Sequence, residues 1–360
     1  MKLLLIGQFP PPHGGISVHI AEMQAQLTRI GVCCHVLNVD KHAPTSDQYI
    51  RIRNGLDLVA ELLRHARRGW MLHFHTSGHN IKSWILALVC GLAGLSGPGR
   101  VLTLHSGMVP DYLRGASAWQ RCLARFACSL YSCVVCVNPE IAQAVSRRLG
   151  ISSLRLKIIP AFLPSMEREV TLPEPLEQRI GKCKPLFSTA LFFRPEYGFE
   201  LLVKALVRLR SDYQRLGCLV LGGDQQEVEA QNFVRTEGME DSIFLVGDVS
   251  HNLCLALIAR SNIFVRPTLK DGDAICVREA LSLGVPVVAS NVGTRPQGAL
   301  LFEPGSVDDL VSKIKTALAQ PRPAFRREPE DKPDWSGLEK VLQTYQRIIF
   351  RNSQRALAGP

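Results

Sequence analysis

Arg266-Pro267-Thr268-Leu269-Lys270-Asp271-Gly272-Asp273-Ala274-Ile275-Cys276-Val277-Arg278-Glu279-Ala280-Leu281-Ser282-Leu283-Gly284 is the stretch from which the rest of this 360-residue chain can be read. Asn262-Ile263-Phe264-Val265 precedes it and Val285-Pro286-Val287-Val288-Ala289-Ser290 follows, both apolar runs of buried-strand length. The unit reads strand, loop, short helix, strand, with Gly284 where a helix-terminating glycine belongs. Such a loop lies at the C-terminal end of a strand, where open α/β sheets bind ligands. It presents Asp271 and Asp273, and Glu279 follows on the helix. A carboxylate can accept two hydrogen bonds from a vicinal diol, which suits a sugar or a ribose. Backbone N–H groups at the helix start suit a phosphate. From the residues alone, a solvated acidic turn followed by a surface glutamate fits equally well.

Asp271 and Glu279 enclose seven residues, and the chain continues Glu279-Ala280-Leu281-Ser282-Leu283-Gly284-Val285-Pro286-Val287-Val288-Ala289-Ser290. This resembles the Glu-x7-Glu signature of family 4 glycosyltransferases, retaining enzymes of GT-B fold, with aspartate in place of the first glutamate. The fold class the resemblance implies is α/β: two doubly wound Rossmann-like domains facing across a cleft, with a C-terminal helix crossing back to the first.

Length agrees with two domains. The formal charge of +10 and pI near 9.2 point to an anionic partner, whether phosphate-bearing substrate, anionic lipid or nucleic acid. Neither zinc-finger spacing nor an aromatic-rich basic strand is present, so nucleic acid is the weakest of the three. The eleven cysteines sit largely in apolar runs, as small buried hydrophobes do. Their odd number, with no secretory pattern before the first strand, predicts a reducing cytosol rather than a disulfide framework. Cys133-Val134-Val135-Cys136 lies inside a strand-like run, which speaks against redox or metal work. The longest apolar stretch, Trp84 to Leu95, is too short to span a bilayer and predicts a core helix.

At the start, the strand Leu3 to Ile6 leads into a Pro/Gly loop, Gly7 to Gly15. A helix follows with Ile16, Ile20, Met23, Leu27 and Ile30 at helical spacing, stopping at Gly31. Strand, glycine loop and helix can bind phosphate, or simply turn the chain. The equivalent family loop also carries a Gly-Gly, which implies that Gly14 and Gly15 contact the donor diphosphate. Cys33 to Val39 predicts a strand, and Arg51 to Arg68 a basic helix with Leu56, Val59, Leu62 and Leu63 on its apolar side. Met71 to His75 is a strand with alternating histidines, His73 and His75; His79 and His105 follow near strand ends. Four histidines invite a zinc site, but no local Asp, Glu or Cys completes the set, and lone histidines usually satisfy hydrogen bonds. Thr103-Leu104-His105-Ser106-Gly107 resembles the family strand end whose histidine faces the scissile bond, which implies a catalytic role for His105. Leu113 to Tyr131 reads as one amphipathic helix, with Trp119, Cys122, Leu123, Phe126, Ala127 and Leu130 on one face and Arg114, Arg121 and Arg125 on the other. It is either a core-packed helix with a solvated face or a dock for an anionic membrane surface.

Ile158 to Pro164 closes the first half, and the Pro- and charge-rich stretch after it reads as a linker. The expected domains are 1–165, a linker 166–184, 185–334, a returning helix 335–350 and a disordered tail 351–360. In the second domain the family has an arginine after the first strand and a lysine before the helix. Phe192 and Tyr197 stand at those places, with Arg194 between them. Arg194, aided by Arg266, Lys270 or Arg295, is expected to hold the diphosphate as the family cations do. Gly222-Gly223-Asp224 is a family-like turn, and the glycine of Phe244-Leu245-Val246-Gly247-Asp248-Val249 implies that Val249 lies at the nucleobase.

The resemblance implies sugar transfer from a UDP- or GDP-sugar to a lipid-linked saccharide in cell-surface polysaccharide assembly, at the cytoplasmic face of the membrane, with retention, no metal and no cofactor. His105, Asp271 and Glu279 form the expected catalytic set. Asp271 would bind sugar hydroxyls and Glu279 the ribose diol. Gly272, Asp273 and Ala274 would line the diphosphate and sugar. Two alternatives stay open: a nucleotide-sugar 2-epimerase, and a non-catalytic subunit of GT-B fold, which Phe192 and Tyr197 favour.

Overall fold

The computed structural model describes residues 1–160, 172, 174–320 and 336–357. Leu3, Leu4, Leu5 and Ile6 are all fully buried, without the alternation of a half-exposed strand. The cause is a layer on each face: Leu4 and Ile6 pack into one apolar cluster, Leu3 and Leu5 into another on the opposite face. Parallel sheets covered on both sides read in this way. Each such side chain contributes about 1.5–3 kcal/mol by leaving water.

The described residues up to Pro160 and from Ser336 onward form one compact unit; those from Leu172 to Gln320 form a second. The first unit runs β1 (Lys2–Gly7), α1 (Gly15–Arg29), β2 (Cys33–Asn38), β3 (Ile50–Arg51), α2 (Gly55–Arg67), β4 (Met71–Thr76), α3 (Ile81–Ala93), β5 (Arg100–Leu104), α4 (Val109–Gly115), α5 (Ala118–Ser129), β6 (Cys133–Cys136), α6 (Pro139–Leu149) and β7 (Leu156–Ile158). Its strands are parallel, in the order β3-β2-β1-β4-β5-β6-β7. The second unit runs α7 (Glu174–Gly181), β8 (Leu186–Ala190), α8 (Phe199–Leu209), β9 (Gly217–Leu221), α9 (Glu227–Thr236), β10 (Ile243–Gly247), α10 (His251–Arg260), β11 (Ile263–Arg266), α11 (Ile275–Ser282), β12 (Val287–Ser290), β13 (Leu300–Phe302) and α12 (Val307–Ala319). Its order is β10-β9-β8-β11-β12-β13, again parallel. The last helix, α13 (Ser336–Leu357), returns to the first unit. There Leu338, Val341, Tyr345 and Ile348 join the cluster of Leu3 and Leu5. Two doubly wound sheets and a returning helix are the GT-B architecture.

Each sheet reverses its strand order once, between β1 and β4 in the first unit and between β8 and β11 in the second. These reversals open crevices at the C-terminal strand ends, the usual ligand position in such sheets. Both stretches singled out in the sequence fall there: the glycine loop after β1 and the Asp271 loop after β11.

Several elements differ from expectation. The basic helix starts at Gly55, not Arg51, because the Asn54 side chain caps it and Ile50–Arg51 pairs as an edge strand. Its buried face carries Leu58 and Leu62, while Leu56 is exposed. The stretch 113–131 is two helices rather than one. Gly115 ends α4, and Ser117 opens α5 through a capping box in which its N–H donates to the Gln120 side chain. The restart changes the faces: Ala124, Ala127 and Cys128 are buried, while Trp119, Cys122 and Phe126 are exposed beside Arg125. Helix α7 lies within the stretch read as linker, and α13 continues to Leu357 through the expected tail. The proline-rich connection 321–334 lies outside the described residues. All eleven cysteines are free thiols. Burial pushes the Cys133 thiol up to about 11 and raises Cys136 as well, which leaves both inert. No helix of the described residues is long and apolar enough to cross a membrane.

Candidate active site

At the reversal of the second sheet, the chain leaves β11 with Arg266 and turns back into α11 at Ala274. The loop is pinned from two sides. Thr294 N–H donates to Gly272 O (2.9 Å), and Gly293 holds φ +64°, where an added Cβ would sit 2.4 Å from Asp271 O. Across the reversal, Gly198 holds φ +70°, and a Cβ there would lie 2.1 Å from Pro267 O. Only glycine fits this close approach of the β8 and β11 loops.

Asp271 is nearly buried and its hydrogen bonding is taken up within the chain. Oδ2 accepts from Arg266 Nε (2.9 Å), Arg295 Nη2 (3.2 Å) and Thr268 Oγ1 (3.2 Å), and Oδ1 accepts from Gly272 N–H (3.0 Å). Burial alone would raise the carboxyl, but Arg266 and Arg295 outweigh it and hold Asp271 below the usual carboxylate range. Arg266 is buried, and its guanidinium lies 5.3 Å from the Tyr197 ring centre. Tyr197 meets Phe192 edge-on at 5.5 Å, and Arg194 lies 5.5 Å from the Phe192 ring. The two aromatics are thus a rack for two arginines. Asp273, also expected at the donor, is fully buried and bound in a fork by Arg278 (3.1 and 3.2 Å). Glu279 is buried on α11, with Oε1 2.7 Å from His251 Nε2 at the start of α10. Lys270 and Arg194 are exposed, Val249 is half-buried after β10, and Ala274 is the N-cap of α11.

In the first unit, Gly14 is the N-cap of α1, its N–H donating to Ser17 Oγ (2.9 Å). Gly15 faces open space. Next to this loop the structure gathers histidines. His75 Nδ1 and His105 Nε2 are 3.1 Å apart, and the His19 ring from α1 lies 5.5 and 5.1 Å from theirs. His73, stacked 4.0 Å from His75, is hydrogen-bonded to Tyr345 Oη and to Thr103 Oγ1 (2.7 Å). Burial holds His19 at about 4 and His73 at about 3, and keeps His75 and His105 well below the ordinary value. All four are neutral imidazoles in near-neutral solution. His19, His75 and His105 each bring one ring nitrogen within 4.8 Å of the other two, the only such group of potential metal ligands found among the described residues.

The sequence reading placed the loops but not every partner. It counted Arg266 and Arg295 toward a diphosphate without pairing them to Asp271. It passed over Arg278, His251 and His19. The signal for His19 was present: it shares the buried face of α1 with Ile16, Ile20 and Met23 at helical spacing. His251 carried none, since its link to Glu279 spans 28 residues and exists only in the fold.

Residues 13–163 match the family described as "Glycosyltransferase Family 4", and residues 178–331 match "Glycosyl transferases group 1". One match falls on each sheet, and together they take in most of the chain; the protein is a glycosyltransferase of GT-B type. It is similar to the phosphatidylinositol N-acetylglucosaminyltransferase gpi3 subunit of Schizosaccharomyces pombe, 21% identical over 97% of this chain and 81% of that one. Of two further curated relatives the chain spans only 24% and 53% of their length. Among solved structures it resembles Anabaena Alr3699/HepE in complex with UDP and glucose, with TM-score 0.65, 16% identity and 89% and 90% of the two chains covered. It also resembles sucrose-phosphate synthase from Thermosynechococcus elongatus, with TM-score 0.68, 19% identity and 99% of each chain covered.

Asp271→Asn removes the charge that separates two buried guanidinium groups. It is expected to cost about 3–5 kcal/mol of stability, as breaking a buried ion pair does. Denaturant unfolding measures this, and a loss below about 1 kcal/mol would show that the arginines do not depend on the carboxylate. The histidines predict a pH dependence. Below pH 6.5 the unfolded chain takes up protons on them, whereas the folded chain does not until about pH 4 at His19 and about pH 3 at His73. Stability therefore falls with pH in that window, by up to about 1.4 kcal/mol per unit for each histidine. His19→Gln should flatten the curve of melting temperature against pH between 6.5 and about 4; an unchanged slope contradicts the burial.

Proposed function

We propose that this glycosyltransferase moves a sugar from a UDP- or GDP-sugar to a hydroxyl of a lipid-linked saccharide, with retention at the anomeric carbon. The observation that carries the donor half is the β11–α11 loop, with arginines beside a helix start and Glu279 buried on that helix. The Glu279 carboxylate holds the ribose diol, exchanging its His251 contact for ribose hydroxyls or keeping it on the second oxygen. Arg266 and Arg295, fixed by Asp271, take the place of the missing family cations and neutralise the leaving diphosphate with the help of Arg194, Lys270 and the start of α11. Asp271 thereby acts through the arginines rather than directly on the sugar. Gly14 and Gly15 allow close approach of the diphosphate, Val249 borders the base, and His105 contacts the donor sugar. The acceptor hydroxyl attacks on the face the diphosphate leaves; the glycosidic bond forms as the sugar–phosphate bond breaks, and a phosphate oxygen takes the hydroxyl proton. The transfer itself needs no metal, because these cations do its electrostatic work.

Lipid-linked acceptors are supported by the fission-yeast relative, whose name specifies phosphatidylinositol, and by the surface of the first unit. Trp119 and Phe126 on α5 and Ile85 and Leu92 on α3 are exposed, on two helices that pack together, with Arg114 and Arg125 nearby in sequence and exposed. Exposed aromatics with arginines suit the headgroup region of an anionic bilayer. A cytoplasmic, peripheral location and a role in cell-surface polysaccharide or glycolipid assembly follow from that reading. The Phe192–Tyr197 pair favours a second one, a subunit that keeps the fold without turning over donor.

A melting-temperature panel with UDP, GDP, ADP and their sugars, with and without chelator, separates the two. One nucleotide is expected to raise the melting temperature equally in both conditions, adding about 2.7 kcal/mol at a hundred times its Kd, and Glu279→Ala should abolish the gain. No shift with any nucleotide contradicts the donor site and leaves the non-catalytic reading. Separately, Arg114→Gln with Arg125→Gln should weaken binding to phosphatidylserine vesicles by about 1 kcal/mol for each charge removed, and Trp119→Ser should weaken it further. Unchanged vesicle binding sinks the docking surface.

A further inference from the structure

We propose that His19, His75 and His105 form a three-histidine site for a first-row divalent transition ion, of the zinc, cobalt or nickel class. Three imidazoles from three elements — α1, the end of β4 and the residue after β5 — present ring nitrogens within 4.8 Å of one another. The His75 Nδ1 to His105 Nε2 separation of 3.1 Å is close to the ligand–ligand edge of about 3.3 Å that tetrahedral zinc–imidazole bonds of 2.0–2.1 Å require. The His19 ring, with its centre 5.5 and 5.1 Å from those of His75 and His105, supplies the third.

His75 is 2% exposed, so the group lies in the interior rather than on a solvated surface. Imidazole nitrogens suit zinc, cobalt and nickel, and not magnesium or calcium, which take oxygen. His73 walls the group without ligating, because Tyr345 and Thr103 occupy both its nitrogens. Such a wall fixes the neighbouring ring as outer-shell partners do. With three protein ligands, one coordination position remains for water or a ligand oxygen. His105 is half-buried, the least enclosed of the three. The ion would tie α1 to the ends of β4 and β5. The site shares His105 with the proposed transfer, whose diphosphate contacts are arginines and need no ion.

The test uses the full chain, stripped with chelator and titrated near neutral pH with cobalt(II) alone. One equivalent should bind with the visible absorption of a nitrogen-ligated, low-coordinate ion and no thiolate charge-transfer band. His19→Gln and His105→Gln should each weaken binding by at least roughly tenfold, the scale seen even for outer-shell partners. Cys122→Ser, which removes an exposed thiol, should change nothing. The melting temperature of each variant in chelator reports folding, and His105, less buried than His19, keeps the comparison usable if His19→Gln unfolds. No binding at one equivalent, a thiolate spectrum, or full binding by His105→Gln overturns the proposal. Because no nucleotide is present, any of these results leaves the transferase reading intact.

Discussion

One carboxylate between two arginines organises the second half of this protein. Asp271 sits where the sheet order reverses and accepts from both Arg266 and Arg295. Two buried guanidinium groups side by side repel each other strongly, and the interaction with one shared anion makes the arrangement tolerable. The same carboxylate receives the Gly272 N–H and so shapes the turn that starts α11. Helix α11 in turn aims Glu279, eight residues on, into the interior beside His251. Loop shape, local charge and the ribose-binding candidate thus depend on a single side chain.

The aromatic pair has its place in this arrangement. Phe192 and Tyr197 stand where the sequence resemblance leads one to expect cations, and arginines are racked against both rings. Arg194 comes from the β8 loop itself and Arg266 from the end of β11, where Asp271, the Ala190 carbonyl and the Tyr197 ring hold it.

How far the sequence was readable follows from the range of each interaction. Local patterns placed the strands, most helices and both glycine loops, because apolar runs and capping residues act within a few positions. The 113–131 stretch misled, since its apolar residues keep helical spacing across a break that only Gly115 and the Ser117–Gln120 cap reveal. The exposure of Trp119 and Phe126 was hidden for the same reason: spacing gives a face but not the side the core lies on. Asp271 and Glu279 were found through their spacing, yet their partners Arg295 and His251 lie 24 and 28 residues away and meet them only through the sheet. The histidine cluster was half visible, with His75 and His105 at strand ends; His19 joined it from a helix that reads as plain core.

A crystal structure of the chain with a bound nucleoside diphosphate tests the central claim most directly. The account predicts the diphosphate against Arg266, Arg295 and the start of α11, and the ribose hydroxyls on Glu279. Asp271 should still bridge the two arginines, making no contact with the ligand. A nucleotide bound away from this loop, or one whose diphosphate is held while Asp271 has let go of both arginines, would contradict it.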